Sequence, residues 1–92
     1  MDFKPTLEFI SELADDNMVS IDLIELNETE ILLSVSSGRV SWNFESCYDN
    51  LKEEIEESLE SIREEKEFTP PGFLYHNLQN IYNFFKAFKN SL

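Results

Sequence analysis

Apolar and polar residues alternate along the chain with two different periods, one typical of helices and one typical of strands. Helical spacing of apolar residues predicts a first amphipathic helix over residues 6–17, with its inner positions at Leu7, Ile10, Leu13 and Ala14. Pro5 or Thr6 can open this helix, since proline fits a first helical turn and threonine can cap one. Asn17 is the predicted end.

Three strands are predicted next. They cover residues 19–26, 30–36 and 39–45, with turns at 27–29 and 37–38. The second and third segments alternate cleanly, whereas Leu23 adjoins Ile24 and interrupts the alternation of the first. Clean alternation predicts a sheet with one core face and one solvated face. We therefore expect an antiparallel meander of three strands.

Two more helices follow the strands. The first covers residues 48–66, where Asn50 followed by Glu53 resembles a capping box. Its apolar stripe is narrow: Leu51, Ile55, Leu59 and Ile62. The segment 68–72 contains two prolines and a glycine and should end it. The last helix covers residues 73–91. The predicted fold is one α+β domain ordered α-β-β-β-α-α, with the three-stranded antiparallel sheet packed by helices.

Composition agrees with one small domain and restricts its partners. The chain has 92 residues, 41% of them hydrophobic, and a formal net charge of −12. Such a charge opposes direct binding to nucleic acid or to an anionic membrane and favours a basic partner. We expect no membrane span and no signal peptide in the first thirteen residues, which contain three acids. A single cysteine excludes an internal disulfide and indicates a reducing cytoplasm.

The negative charge is concentrated in one part of the chain. All 19 acidic residues precede residue 68, and eight glutamates fall within residues 53–67. On a helix these eight span about 21 Å, or roughly one carboxylate per 3 Å, close to the ~3.4 Å phosphate spacing of one DNA strand. The candidate phosphate-mimicking residues are Glu53, Glu54, Glu56, Glu57, Glu60, Glu64, Glu65, Glu67, Asp15, Asp16, Asp22, Glu25, Glu28 and Glu30. The simpler interpretation is a solvated helix face.

The last helix contains no acid and many aromatic residues. Its apolar positions cover more than half of its circumference, which predicts a surplus face for a homodimer. The predicted interface residues are Tyr75, Leu78, Tyr82, Phe84, Phe85 and Phe88. The alternative interpretation is a central helix that the chain itself covers on all sides.

No pattern of residues predicts catalysis. His76 is the only histidine and lacks neighbouring zinc ligands, so we expect it on the surface. Cys47 lacks a base partner and is expected to be buried or half-buried. Two glycines cannot form a phosphate-binding loop, and the carboxylates should be solvated. We therefore expect no enzyme activity, no catalytic or metal-binding residues, and no cofactor.

The length, the acidic helix at 53–67 and the acid-free segment 68–92 together resemble small phage DNA-mimic anti-restriction proteins of the Arn kind found in T-even phages. The resemblance implies inhibition of a modified-cytosine-directed restriction nuclease of the McrBC type in the host cytoplasm. It also implies capture of histone-like nucleoid proteins. Two alternatives stay open. An acidic immunity protein would block one toxin through a few aromatic anchors. A secretion-type chaperone would offer an apolar groove to an extended client.

Overall fold

The computed structural model describes residues 4–92. Residues 1–3 lie outside that range. They belong to the N-terminal segment in which we expect no signal peptide. The elements are α1 (Leu7–Asp16), β1 (Ser20–Leu26), β2 (Glu30–Ser37), β3 (Val40–Cys47), a 3-10 turn (Tyr48–Asn50), α2 (Leu51–Glu67) and α3 (Phe73–Asn90). The predicted α+β fold and the order α-β-β-β-α-α are confirmed, with boundaries shifted by one to three residues.

Local side-chain chemistry explains where α1 begins and ends. The Thr6 hydroxyl oxygen accepts a hydrogen bond of 3.1 Å from the backbone N–H of Phe9, which is a helix cap. At the other end, the Asn17 side-chain amide donates to the carbonyl oxygen of Leu13 at 2.8 Å. Met18 then adopts a left-handed φ of 59°, which turns the chain toward the sheet. The helix is one residue shorter at each end than predicted, with Thr6 and Asn17 as its caps.

The predicted capping box at the start of α2 is wrong. The side chain of Asn50 makes no capping hydrogen bond, and its backbone φ and ψ are −110° and 13°. A capping side chain normally sits on extended backbone, whereas Asn50 belongs to the 3-10 turn that precedes the helix. The chain therefore enters α2 from a turn that is already wound.

The sheet is an antiparallel meander in the order β1-β2-β3. In the first turn, the Asn27 side-chain oxygen accepts from the backbone N–H groups of Thr29 and Glu30, at 2.9 and 2.8 Å. In the second turn Ser37 pairs with Val40, so the two loop residues are 38 and 39 rather than 37 and 38. Both hairpins form where turn residues were predicted.

A β-bulge explains the broken alternation in β1. The register shifts between Ile21 and Leu23, so that Ile21 lies opposite Val35 while Leu23 lies opposite Ser34. The extra residue in the bulge moves Leu23 to the solvated face of the sheet, where it is exposed. Ile24 then returns to the core side beside Leu33.

The helices lie on one face of the sheet, with α3 in the centre. Helix α1 packs against β1 and α3, α2 packs against α3 and β3, and α3 packs against β2, β3 and both other helices. The buried core contains residues of β2, β3 and all three helices, and the half-buried Ile21, Ile24 and Leu26 of β1 pack against it. It contains a run of aromatic rings, including Phe84 and Phe85 with centroids 5.0 Å apart and Phe44 and Phe85 at 5.5 Å.

This central position contradicts most of the predicted dimer interface. Leu78, Phe84, Phe85 and Phe88 are buried in the core of their own chain, three of them completely, because neighbouring elements cover α3 on several sides. Tyr75 and Tyr82 are half-buried instead. Four of the six proposed contact residues are therefore not available for contact with a second copy. The alternative, a central helix that the chain itself covers, describes these four correctly. The homodimer stays a prediction.

Candidate functional site

Helix α2 has two opposite faces with different chemistry. Its inner face carries the predicted apolar stripe, and all four of those residues are buried. Its outer face carries five exposed glutamates spaced by 4, 3, 4 and 3 residues: Glu53, Glu57, Glu60, Glu64 and Glu67. A helix repeats every 3.6 residues and 5.4 Å, so these five form one straight row about 21 Å long with a carboxylate on each turn. We call this set the acidic row.

Basic residues reduce the charge on only one flank of α2. The Arg63 guanidinium donates to the Glu60 carboxylate, and this hydrogen bond and the opposite charge raise the pKa of Arg63. The Lys66 ammonium lies 4.7 Å from the ring centre of Tyr82 and 5.5 Å from that of Tyr75. The contacts of Lys66 direct that cation toward α3, whereas Arg63 pairs with Glu60, a member of the acidic row.

The opposite flank of α2 faces β3 and forms a shallow groove with it. One part of this groove is lined by Trp42, Asn43, Phe44 and Glu45 from β3 and by Glu54, Glu57, Ser58 and Ser61 from α2. The adjoining part is lined by Ser61, Glu64, Glu65 and Phe68. Ser61 lines both depressions, so they adjoin, and we call the two together the acidic groove. Its lining residues include five glutamates and no lysine or arginine.

The glutamates in this groove are close enough to affect each other's ionisation. A side-chain hydrogen bond with Glu57 raises the pKa of Glu54, and the negative charge of Glu57 raises it further. Desolvation and the charge of Glu53 add smaller increases. A hydrogen bond between two carboxyl groups requires a proton on one of them, so lowering the pH favours a shared proton at this position.

The structure separates the predicted carboxylates into two groups. The eight glutamates of α2 lie together, and Glu45 joins them across the groove. The remaining six are exposed but belong to other elements, namely α1, β1, the β1–β2 turn and the first residue of β2: Asp15, Asp16, Asp22, Glu25, Glu28 and Glu30. Since α1 packs on β1 and α2 packs on β3, the acids of α1 and β1 lie at the opposite edge of the sheet from α2. Glu30 lies in the central strand instead.

Two exposed aromatic residues were not identified as site residues from sequence. Phe68 and Phe73 stand at the two ends of the proline-rich connection between α2 and α3, and both are almost fully exposed. The pattern of this segment predicted only the end of a helix. The signal in the sequence was a phenylalanine on each side of Thr-Pro-Pro-Gly, outside the apolar stripes of the two helices.

The remaining candidates for chemistry are isolated. His76 is exposed on α3, as expected, whereas Cys47 is exposed rather than buried because it follows the core-facing Ser46 on the solvated side of β3. Within residues 4–92, no group of three His, Cys, Asp or Glu side chains could hold a metal ion. Among those same residues, no helix is both long and apolar enough to cross a bilayer.

Comparison with known proteins adds no relative. No protein-family model, no curated protein and no solved structure is detectably similar to this chain.

Proposed function

We propose that this protein is a non-catalytic inhibitor that occupies the DNA-binding site of a basic host protein. The observation that carries the proposal is the acidic row of α2, five exposed carboxylates in a straight line beside a groove without basic lining residues. The burial of α2 requires only its four apolar residues, so folding alone gives no reason for such a row. The charge distribution of carboxylates at this density resembles that of a phosphate backbone, so a basic groove of the partner protein can bind them in place of DNA.

The resemblance to phage anti-restriction proteins names the candidate targets. These are a restriction nuclease of the McrBC type that is directed to modified cytosine and histone-like nucleoid proteins, both in the host cytoplasm. Both bind DNA through basic surfaces, and a net charge of −12 would attract such a surface over a distance and speed association. Inhibition then needs no covalent step and no cofactor.

One observation favours a second candidate function. An acidic immunity protein would hold its toxin through a few aromatic anchors. Phe68 is exposed at the end of the acidic groove, and Phe73 is exposed at the start of α3. The secretion-type chaperone has less support. Its client would need an apolar groove, whereas the grooves along α2 are lined largely by glutamate and serine. The depression on the sheet includes Leu23 and Leu32 but also Ser34, Asn43 and Glu45.

Two charge-matched variants test the proposal. The first neutralises α2 by changing Glu53, Glu54, Glu56, Glu57 and Glu60 to glutamine. The second removes the same charge from the other edge of the sheet by changing Asp15, Asp16 and Asp22 to asparagine and Glu25 and Glu28 to glutamine. Each protein is titrated into a purified McrBC-type nuclease during cleavage of methylated DNA and, separately, into a histone-like protein bound to DNA.

We expect the α2 variant to lose inhibition by at least about tenfold, and the matched variant to lose much less. Inhibition by the wild type should also weaken steeply with salt, because many exposed charge contacts are screened together. Equal losses in the two variants would mean that overall charge, not the acidic row, carries binding. A complex that survives about 1 M salt and tolerates the α2 variant would favour the immunity protein instead.

A further inference from the structure

Three large apolar side chains are exposed within one short connection. Phe68 is 86% exposed, Phe73 is 89% exposed and Leu74 is 53% exposed, all between the last residue of α2 and the first turn of α3. Single exposed apolar residues are ordinary, whereas three within seven residues of the sequence give this part of the surface the apolar character that marks interaction sites. We call these three residues the patch. None of these residues contributes to the hydrophobic core.

The backbone around this patch is held in one conformation. The N–H groups of Phe68 and Thr69 donate to the carbonyls of Glu65 and Lys66, both at 3.2 Å. The Thr69 hydroxyl also donates to the Glu65 carbonyl at 2.7 Å. Pro70 and Pro71 fix two further φ angles. A rigid connection presents its aromatic rings with little loss of conformational entropy on binding, so the patch is suited to a specific contact.

The patch is continuous with the acidic groove. Phe68 forms the end of that groove together with Ser61, Glu64 and Glu65. A second copy of this chain would bring its own glutamates against these, and like charges at a contact are unfavourable. A partner with basic residues beside an apolar side chain matches both features. The neighbouring charges therefore select a basic partner protein over self-association.

We propose that Phe68 and Phe73 form an apolar anchor that binds an apolar side chain at the end of a basic segment of the partner protein. This inference rests on the proposed function, because it takes the acidic groove as the binding site for the basic part of that segment. Glu54 and Phe68 are fourteen residues apart on α2, or about 21 Å along its axis. An extended partner segment covers that distance with about six residues.

Such an anchor adds a contact that DNA itself does not offer. The carboxylates attract any basic groove, whereas the two rings distinguish partners that carry an apolar residue at the correct distance. Salt screens the attraction by the carboxylates and leaves the apolar contact of the two rings in place. Binding should therefore contain a salt-sensitive part from the acidic groove and a salt-resistant part from the anchor.

Synthetic peptides separate these two parts. The probes are fluorescein-labelled peptides of alternating arginine and serine, about twelve residues long, without a tail or with a Leu-Trp-Leu tail at either end. Affinities are measured by fluorescence anisotropy at low and at moderate salt for the wild type and for Phe68→Ser/Phe73→Ser. Met18→Ser is the control, because Met18 is exposed to 77% but follows α1 at the other edge of the sheet.

For the wild type, we expect one of the tailed peptides to bind about tenfold more tightly than the untailed peptide, with the difference persisting as salt rises. The double serine variant should lose this difference, so that it binds the tailed and untailed peptides with the same affinity. The Met18→Ser control should keep the difference. Circular dichroism and thermal unfolding check that the double variant keeps its fold, as expected for exposed positions.

Two results would overturn the anchor. In one, neither tail improves binding to the wild type. In the other, the improvement persists in the double serine variant. A different result bears on the proposed function. If the untailed peptide fails to bind the wild type at low salt, or binds the five-glutamine α2 variant equally well, the acidic groove is not a site for basic segments.

Discussion

Helices α2 and α3 are neighbours of nearly equal length, 17 and 18 residues, with opposite chemistry. Helix α2 lies at the edge of the helical layer, buries four residues and exposes most of its glutamates. Helix α3 lies in the centre, buries five residues and contains no acid. A carboxylate directed into the surroundings of α3 would be buried without a partner, which costs several kcal/mol. Packing thus explains the five buried apolar positions of α3, but it explains neither the absence of acids from the exposed positions of α3 nor the acidic row of α2.

The largest expected change in stability comes from a substitution that disrupts the packing of α3. Phe85 is fully buried and contacts the rings of Phe44 and Phe84, so Phe85→Ala should lower the free energy of unfolding by about 3–5 kcal/mol. Urea denaturation followed by circular dichroism measures the loss. Phe68→Ala removes the same atoms from an exposed position and should change stability by less than about 0.5 kcal/mol. Similar values for the two variants would contradict the central position of α3.

A smaller effect is expected where the β2–β3 hairpin meets α3. The Ser37 hydroxyl lies 3.2 Å from the Asn77 side-chain oxygen and accepts from the Asn80 amide at 3.1 Å. Gly38 has a φ of 59°, and a Cβ there would stand 2.3 Å from the Asn77 side-chain nitrogen. Gly38→Ala should therefore cost about 1–2 kcal/mol from its left-handed backbone, plus any displacement of Asn77.

Thermal and urea unfolding measure this cost. Arg39→Ala is the matched control, because Arg39 is the other residue of the same turn and its φ is not positive. It should stay within about 0.5 kcal/mol of the wild type. If Gly38→Ala is as stable as the control, the hairpin does not hold α3 in the way described.

On α2, removal of charge should leave the fold intact or slightly more stable. The variant with glutamine at positions 53, 54, 56, 57 and 60 removes the like-charge pairs Glu53–Glu57 and Glu56–Glu60, each unfavourable by about 0.2–0.5 kcal/mol. It also removes the Glu60–Arg63 ion pair, whose loss offsets part of the gain. Chemical denaturation at low salt measures the sum. A loss of several kcal/mol would mean that the acidic row stabilises the fold, which would weaken its assignment to binding.

The smallest effect concerns the ionisation of Glu54. Glu57 raises the pKa of Glu54 chiefly by hydrogen bonding, so Glu57→Gln should lower that pKa toward its usual value. A carboxyl whose pKa is higher folded than unfolded binds its proton more tightly in the folded chain. Proton binding by Glu54 therefore stabilises the folded chain fully when the pH is below the pKa that Glu54 has in the unfolded chain. This stabilisation disappears as the pH rises through the pKa that Glu54 has in the folded chain. NMR titration of the Glu54 carboxyl carbon in both proteins measures the change, and an unchanged pKa would contradict the pairing.

The sequence predicted those parts of the fold that depend on local patterns. Helical spacing located all three helices, and alternation located β2 and β3, because each pattern follows directly from which side faces the core. The bulge at Asp22 was visible only as broken alternation, since its register depends on pairing with β2. The cap at Asn50 was mispredicted because the preceding turn, not the side chain, sets the start of α2.

The candidate site was predictable in composition but not in arrangement. The glutamates of α2 lie on one helix, so their spacing alone placed them together. The distance between α2 and the acids of α1 and β1 depends on which edge of the sheet each helix covers, and no local pattern contains that information. For the same reason the aromatic residues of α3 looked like a surplus face. Their burial depends on four neighbouring elements at once.

Competition with DNA tests the central claim most directly. A purified McrBC-type nuclease or histone-like protein is held at fixed salt with labelled inhibitor, and an unlabelled DNA duplex is added in increasing amounts. If the carboxylates of α2 occupy the DNA-binding site, the apparent Kd of the inhibitor should rise in proportion to the DNA concentration, and inhibitor and DNA should never be bound together. A stable ternary complex, or an affinity that does not change with DNA, would contradict the account.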